Sequence, residues 1–195
     1  MGFTAITTGN QKTFVLDRSG AQVFFLFNQS GEFSFELNAP GAEAHIFALF
    51  TGKESDAFAI KIDQVHNAPK TTSHTIVKYL GKDQASMRYE GLIRIADVAT
   101  GCTASQKNAN LLLSDDASAF SFPSLEILTD DVICHHGSTT SRVNKDHLFY
   151  AESRGVSHDE AEQMLADGFV NDFFLEIDKF GSFQEITDCR EKLSH

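Results

Sequence analysis

The chain has 195 residues, enough for one domain with a substantial buried core and at most a small helical appendage. Its 16 basic and 27 acidic residues leave a formal net charge of −11, a field that opposes nucleic acid and anionic membrane, so its partners are expected to be proteins. Eighteen Phe, no Trp and three Pro, with Val, Ile and Thr abundant in the first two thirds, favour strands there.

The N-terminus, Met1-Gly2-Phe3-Thr4, lacks the basic-then-apolar layout of a signal peptide, and Ile6 fails the myristoylation pattern. No apolar stretch approaches the roughly 20 residues of a membrane-spanning helix. The chain is therefore read as cytoplasmic, with no membrane partner. Strand-sized apolar runs then recur at 14–16, 23–27, 33–37, 45–50, 58–62, 75–80, 87–95, 111–113, 125–128 and 132–134. Gly20, Gly31, Gly41 and Gly52 punctuate the early ones at intervals of 11, 10 and 11, so a strand-plus-turn unit of ten residues repeats and two units make a coil of about twenty. Even spacing without intervening helices excludes an alternating βαβ sheet and leaves a sandwich, a barrel or a β-solenoid. Phe33-Ser34-Phe35-Glu36-Leu37 and Phe58-Ala59-Ile60-Lys61-Ile62 alternate as strands with one buried face do. Val23-Phe24-Phe25-Leu26-Phe27 does not, and is either covered on both faces or part of an interface.

Near residue 145 the pattern becomes helical. A turn of helix over 146–153 is expected to stop at Gly155. Ser157-His158-Asp159-Glu160 forms a capping box that starts a second helix. Ala161, Met164, Leu165, Gly168, Phe169, Phe173 and Ile177 then follow as an apolar stripe, which Gly168 is expected to split into two short helices. The stripe is read mostly as packing against the end of the β-region, with surplus aromatic surface left for a partner groove.

Three widely spaced cysteines give neither a disulfide framework nor a paired metal knuckle, and reduced thiols are expected. Cys102 is placed in a Gly101-Cys102-Thr103 turn and Cys189 in a polar tail, both as bystanders. Cys134 and His136 stand at i and i+2 of a predicted strand, on one face and about 7 Å apart by strand rise. Thiolate and imidazole suit iron, although an isolated cysteine or histidine is more often a buried hydrophobe or a hydrogen-bonded structural residue. His135 should face the other way. His66 and His74 are eight apart and are expected to pack or hydrogen-bond across adjacent strands. A histidine metalloenzyme on a β-helix or cupin-like fold, using His45, His66, His74 or His136, is the enzymatic alternative. No persuasive carboxylate pair, Ser-His-Asp order or His-Glu-x-x-His motif supports it, and no Gly-x-x-x-x-Gly-Lys-Ser/Thr loop is present to cradle nucleotide phosphates.

An ordered set of motifs runs through residues 71–169. They are Thr72-Ser73-His74, Arg88-Tyr89-Glu90-Gly91-Leu92-Ile93, the segment Ala104-Ser105-Gln106-Lys107-Asn108-Ala109-Asn110-Leu111-Leu112-Leu113-Ser114, Phe122-Pro123-Ser124-Leu125-Glu126-Ile127, Asp131-Val132-Ile133-Cys134-His135-His136-Gly137-Ser138-Thr139-Thr140, Leu148-Phe149-Tyr150-Ala151-Glu152-Ser153-Arg154-Gly155-Val156 and Ala161 through Gly168-Phe169. In this order they resemble the core of the SufB/SufD (SufBD) family of the SUF iron-sulfur cluster assembly system. The resemblance implies a mainly β fold, a right-handed parallel β-helix over 1–144, with a small α-helical segment over 145–195. It implies a non-catalytic scaffold: β-helices pair, and the helical segment docks a SufC-like ABC ATPase, which carries the ATP hydrolysis. Phe149, Tyr150, Arg154, Leu165, Phe169 and Phe173 are the expected partner-binding residues. Cys134 and His136 match the SufD-like Cys-x-His-Gly pattern and are the candidate ligands for iron or a transient Fe–S cluster shared with a partner chain; the isolated chain is expected to hold none. At Asn108-Ala109-Asn110 the SufB-like cysteine is missing, and at Gly137 the SufB-like glutamate. The chain opens almost at the β-helix without the N-terminal helical region of full-length members, so a homodimer stands beside pairing with a SufB-like subunit. A stand-alone interaction module of the same fold is a further alternative. The residues leave open the choice of partner, whether a cluster is held, and flavin involvement.

Overall fold

A computed structural model describes residues 1–7 and 12–193; the last two residues of the helical segment lie outside them. Strands β1 (Gly2–Ile6), β3 (Gly20–Phe27), β5 (Ala42–Gly52), β7 (Thr72–Gly81), β9 (Cys102–Leu112) and β11 (Val132–Arg142) form one sheet in that order. Strands β2 (Lys12–Leu16), β4 (Gly31–Leu37), β6 (Ala57–His66), β8 (Ser86–Ile95) and β10 (Ser118–Ile127) form the other. Every pairing is parallel, and each successive strand changes sheet, so the chain winds as the expected β-solenoid, of about four turns. No helix among the described residues is long and apolar enough to cross a membrane.

The twenty-residue coil holds only at the start. Gly2 pairs with Gln22 and Val23 with His45, but His45 pairs with His74, His74 with Ser105 and Ser105 with His135. The step grows to about thirty because the strands lengthen from 5 residues in β1 and β2 to 10 or 11 from β5 onward. The glycine cadence marks only the early turns. Gly2–Ile6, absent from the expected runs, is a strand. Cys102 opens β9 rather than sitting in a turn, and the run at 111–113 is the end of that long strand, whose inward positions Gln106, Asn108 and Asn110 are polar.

Between the sheets, Phe24, Leu26, Phe33, Phe35, Ile46, Phe50, Ile60 and Ile62 form a close-packed core. On the outer face of the first sheet, Val23, Phe25, Phe47 and Leu49 are buried beneath Phe173, Phe174, Ile177, Ile186 and Cys189. The non-alternating run at 23–27 is thus covered on both faces by its own chain. The covering layer is helical, α2 (His158–Asp178) and α3 (Gln184–Leu193), and α1 (Lys145–Ser153) precedes it. Ser157 and Glu160 make the expected capping box, and Gly155 stops α1 at φ 89°. Gly168 does not split α2, which runs unbroken past it; its Cα faces open space. The tail is an amphipathic helix that buries Cys189, and burial pushes that thiol up to about 11.

The solenoid interior changes character along its length. After the apolar first coils come Gln64, His66, Ser73, Thr75, Gln106, Asn108 and Asn110, all buried. His66 Nδ1 lies 2.7 Å from Thr71 Oγ1 and Nε2 lies 2.8 Å from Ser73 Oγ. Thr71 donates its single proton to Ala68 O at 3.1 Å, so it accepts from Nδ1–H, and Nε2 accepts from Ser73. Burial holds His66 down at about 4, in this neutral form. His66 does not meet His74, because the two strands lie in opposite sheets and His74 points outward. His74 instead stacks on His45, ring centroids 5.4 Å apart, with Phe180 4.2 Å from His45 on the other side. Burial lowers both, and the neighbouring His74 lowers His45 further, against the opposing pull of Glu43 on each ring.

The folded state thus depresses three imidazoles below their unfolded value of 6.5, and an unfolded chain binds more protons below that pH. The stability is full above pH 6.5 and is lost as pH falls toward 4. His66 alone accounts for roughly 3 kcal/mol of the loss. Urea midpoints measured from pH 7.5 to 4.5 are expected to fall accordingly, with the His66 ring staying neutral by NMR down to pH 5; an imidazolium signal at pH 6 would contradict this account. A second expectation concerns glycines. A Cβ on Gly91 would meet Gln106 Oε1 and the Tyr89 ring, whereas one on Gly168 meets nothing within 4 Å. Gly91→Ala should cost about 2–3 kcal/mol, lowering Tm by roughly 5–10 °C, while Gly168→Ala should raise stability by up to about 1 kcal/mol.

Candidate functional site

In a parallel solenoid each coil is covered by the next, so the last coil shows what the others hide. Ile93 and Ile95 of β8 are fully buried; Leu125 and Ile127, their partners on β10, are each 37% exposed although they occupy the same inward rows. Opposite them, β11 is the edge of the first sheet. Its inward residues Cys134, His136, Ser138 and Thr140 pair with Ala104, Gln106, Asn108 and Asn110. Cys134 and His136 therefore do share one face, as the i, i+2 spacing required, and that face lines the open end of the solenoid. His135 falls on the opposite face, in the row of Ser105, His74 and His45.

A polar shelf braces this end. Ser121 Oγ of β10 donates to Asn108 Oδ1 at 2.5 Å, and Ser138 Oγ of β11 donates to the same oxygen at 3.1 Å. Asn110 Nδ2 donates to Thr140 Oγ1 at 3.0 Å and to Thr139 O at 3.3 Å. Gln106 receives the Tyr89 hydroxyl at 3.1 Å and donates to Gly91 O and Ser124 O. Both edge strands are thus tied to β9 by satisfied amides, which fixes the rim without an apolar filling.

Cys134 is half-buried, packed against the Ile93, Ile95 and Ala104 cluster, and burial raises its thiol. Binding a cation there must expel the proton. His136 is exposed. The pair offers one sulfur and one imidazole nitrogen, and among the described residues no group of three or more His, Cys, Asp or Glu comes together to hold a metal. Cys102 Sγ lies 3.0 Å from Thr71 Oγ1, inside the interior network. The four histidines of the enzymatic alternative occupy three separate places: His66 in the interior, His45 with His74 on the outer face, and His136 at the rim.

The expected partner-binding residues also separate. α1 buries no side chain, and Phe149 and Tyr150 are 73% and 62% exposed, with the Arg154 guanidinium 5.3 Å from the Tyr150 ring centroid. Leu165 and Phe169 are half-buried. Phe173 has no exposed surface: its ring packs against Phe47 and Phe25, at centroid distances of 6.0 and 6.4 Å. Helical periodicity placed Phe173 on the apolar stripe, but could not say that the sheet would be apolar on its outer face too. Met164, expected on that stripe, is 62% exposed and adds to the free surface. A cleft of about 500 Å³ lined by Leu113, Arg142, Leu148, Phe149, Glu152 and His158 lies beside α1.

Residues 28–169 match the SUF system FeS cluster assembly, SufBD core domain. The chain is 30% identical over 139 residues to an iron-sulfur cluster assembly SufBD family protein of Staphylococcus saprophyticus, across 71% of this chain and 29% of that one. Counterparts in Staphylococcus epidermidis and Staphylococcus haemolyticus are 29% identical over the same shares. The chain thus spans less than a third of the length of these relatives. The matched stretch takes in most of the solenoid, its open end, α1 and the first half of α2, and on it the chain belongs to the SufBD family.

Proposed function

We propose that this chain is a non-catalytic scaffold in Fe–S cluster assembly. Its open solenoid end joins a second chain of the same fold, a copy or a SufB-like subunit, and its α1–α2 surface docks a SufC-like ABC ATPase. The observation that carries this reading is the exposed inward row of the last coil. Leu125 and Ile127 stand where a further coil should cover them, on the rim that also holds Cys134 and His136. An uncapped coil with two edge strands favours pairing with another chain. Iron or a nascent cluster is the cargo: Cys134 and His136 supply part of a ligand set, and the joined chain supplies the remainder. Because the Cys134 thiol is raised, loading releases a proton and should weaken as pH falls. The exposed aromatic pair Phe149 and Tyr150 on a helix without buried residues supports docking there.

The test has two parts. The chain, alone and mixed with a SufB-like subunit, is sized by light scattering at increasing concentration. Association is expected, with Leu125→Asp and Ile127→Asp each weakening it about thirtyfold or more. A chain that stays monomeric in both settings sinks the end-on joining. Co-purification with the SufC-like ATPase should succeed for the wild type and fail for Phe149→Asp and Tyr150→Asp, whose side chains lie outside the core. Cys134→Ser should cut iron retained by the joined complex without changing its size.

A further inference from the structure

Lys78 of β7 carries an ammonium group where its row offers only apolar neighbours. Register places it between Leu49 of β5 and Ala109 of β9 on the outer face of the first sheet, and its side chain is 6% exposed. An unpaired cation there would cost several kcal/mol. One turn of α2 supplies its described partners. Nζ donates to Asp172 Oδ2 at 2.6 Å and to Phe169 O at 2.8 Å, and lies 4.5 Å from the Phe169 ring centroid. Lys78 in turn holds the Asp172 carboxyl below its usual range, with Lys107 and Lys179 adding to the effect. Asp172 remains largely exposed, so the strength of the pair comes from the buried end.

Apolar contacts alone permit a helix to slide or roll on a flat aromatic face, because dispersion has no direction. A buried ammonium with directed bonds does not. We propose that Lys78 is a positioning residue that pins α2, and with it the ATPase-docking surface, in one register on the solenoid. This rests on the docking reading above. α1 buries nothing of its own, so Phe149 and Tyr150 take their placement from α2. The pin also ties that surface to the open end, since Lys78 pairs with Ala109 and Ala109 with Thr139 of the edge strand. A load on the helices thus reaches the rim through two strands of one sheet.

The experiment compares wild type, Lys78→Met and Asp172→Asn as full chains, by amide hydrogen exchange and by calorimetric titration with the SufC-like ATPase. Methionine fills the same apolar slot, and position 172 is exposed, so both variants keep the solenoid. Lys78→Met is expected to speed exchange over 165–175 by about tenfold or more, leave β3 and β5 protected as before, and weaken ATPase affinity about fivefold or more. Asp172→Asn should show the same pattern, reduced. Unchanged exchange in α2 of Lys78→Met overturns the pin. Faster exchange with wild-type affinity overturns its link to docking. If wild type itself fails to bind the ATPase, the docking reading falls, and the exchange data still uphold or sink the pin by themselves.

Discussion

The structure depends on burial of the first sheet on both of its faces. Phe24, Leu26 and Ile46 face the solenoid interior while Val23, Phe25, Phe47 and Leu49 face the helices, so β3 and β5 are dry on either side. A β-strand shows alternate residues to opposite faces, and the only sequence that satisfies two apolar environments is a continuous apolar run. That run commits α2 and α3 to lie across the early coils. Without them a row of Phe and Leu would face water, an aggregation hazard as well as a loss of stability.

Covering of this kind ends before the solenoid does. Helices α2 and α3 sit over β1, β3, β5 and β7, while β9 and β11 carry Ser105, Lys107 and His135 on the same outer face, residues at ease in water. Inside, phenylalanines give way to amides and hydroxyls whose hydrogen bonds are directional. An apolar interior would tolerate several stackings of the last coil; the Asn108, Asn110, Ser121 and Ser138 network specifies one. These hydrogen bonds hold the strands of the rim that presents Cys134 and His136 to β9, although no further coil covers it among the described residues.

Among the described residues, the end of the solenoid and the outside of α1 both expose large apolar side chains. The first exposes inward-facing apolar residues beside a thiol and an imidazole, the second exposes aromatics on a helix that buries no side chain of its own. In the function proposed above, joining and cargo ligation would share the solenoid end, and ATPase docking would use the separate helical surface. Lys78, on β7, lies two strands in from the β11 edge of the same sheet and contacts α2.

Much of this was legible in the residues. Short, regularly punctuated apolar runs narrowed the fold to a sandwich, a barrel or a β-solenoid, and the ordered motifs resembling the SufBD core singled out the last; Ser157 and Glu160 marked the start of α2; and the i, i+2 spacing of Cys134 and His136 placed both on one face, since side-chain alternation is a local property of a strand. Periodicity reports what is apolar, not what will cover it. The tertiary structure alone decided that Phe173 belongs to the core, that Cys189 is buried on the inner face of a third helix, and that the coil widens to about thirty residues as the strands lengthen. It alone paired His74 with His45 rather than His66, because strand neighbours in a solenoid are a full coil apart in sequence. The buried ammonium of Lys78 had no sequence signal at all, for a lysine in an alternating strand reads as solvated until a helix 91 residues away supplies the oxygen that receives it.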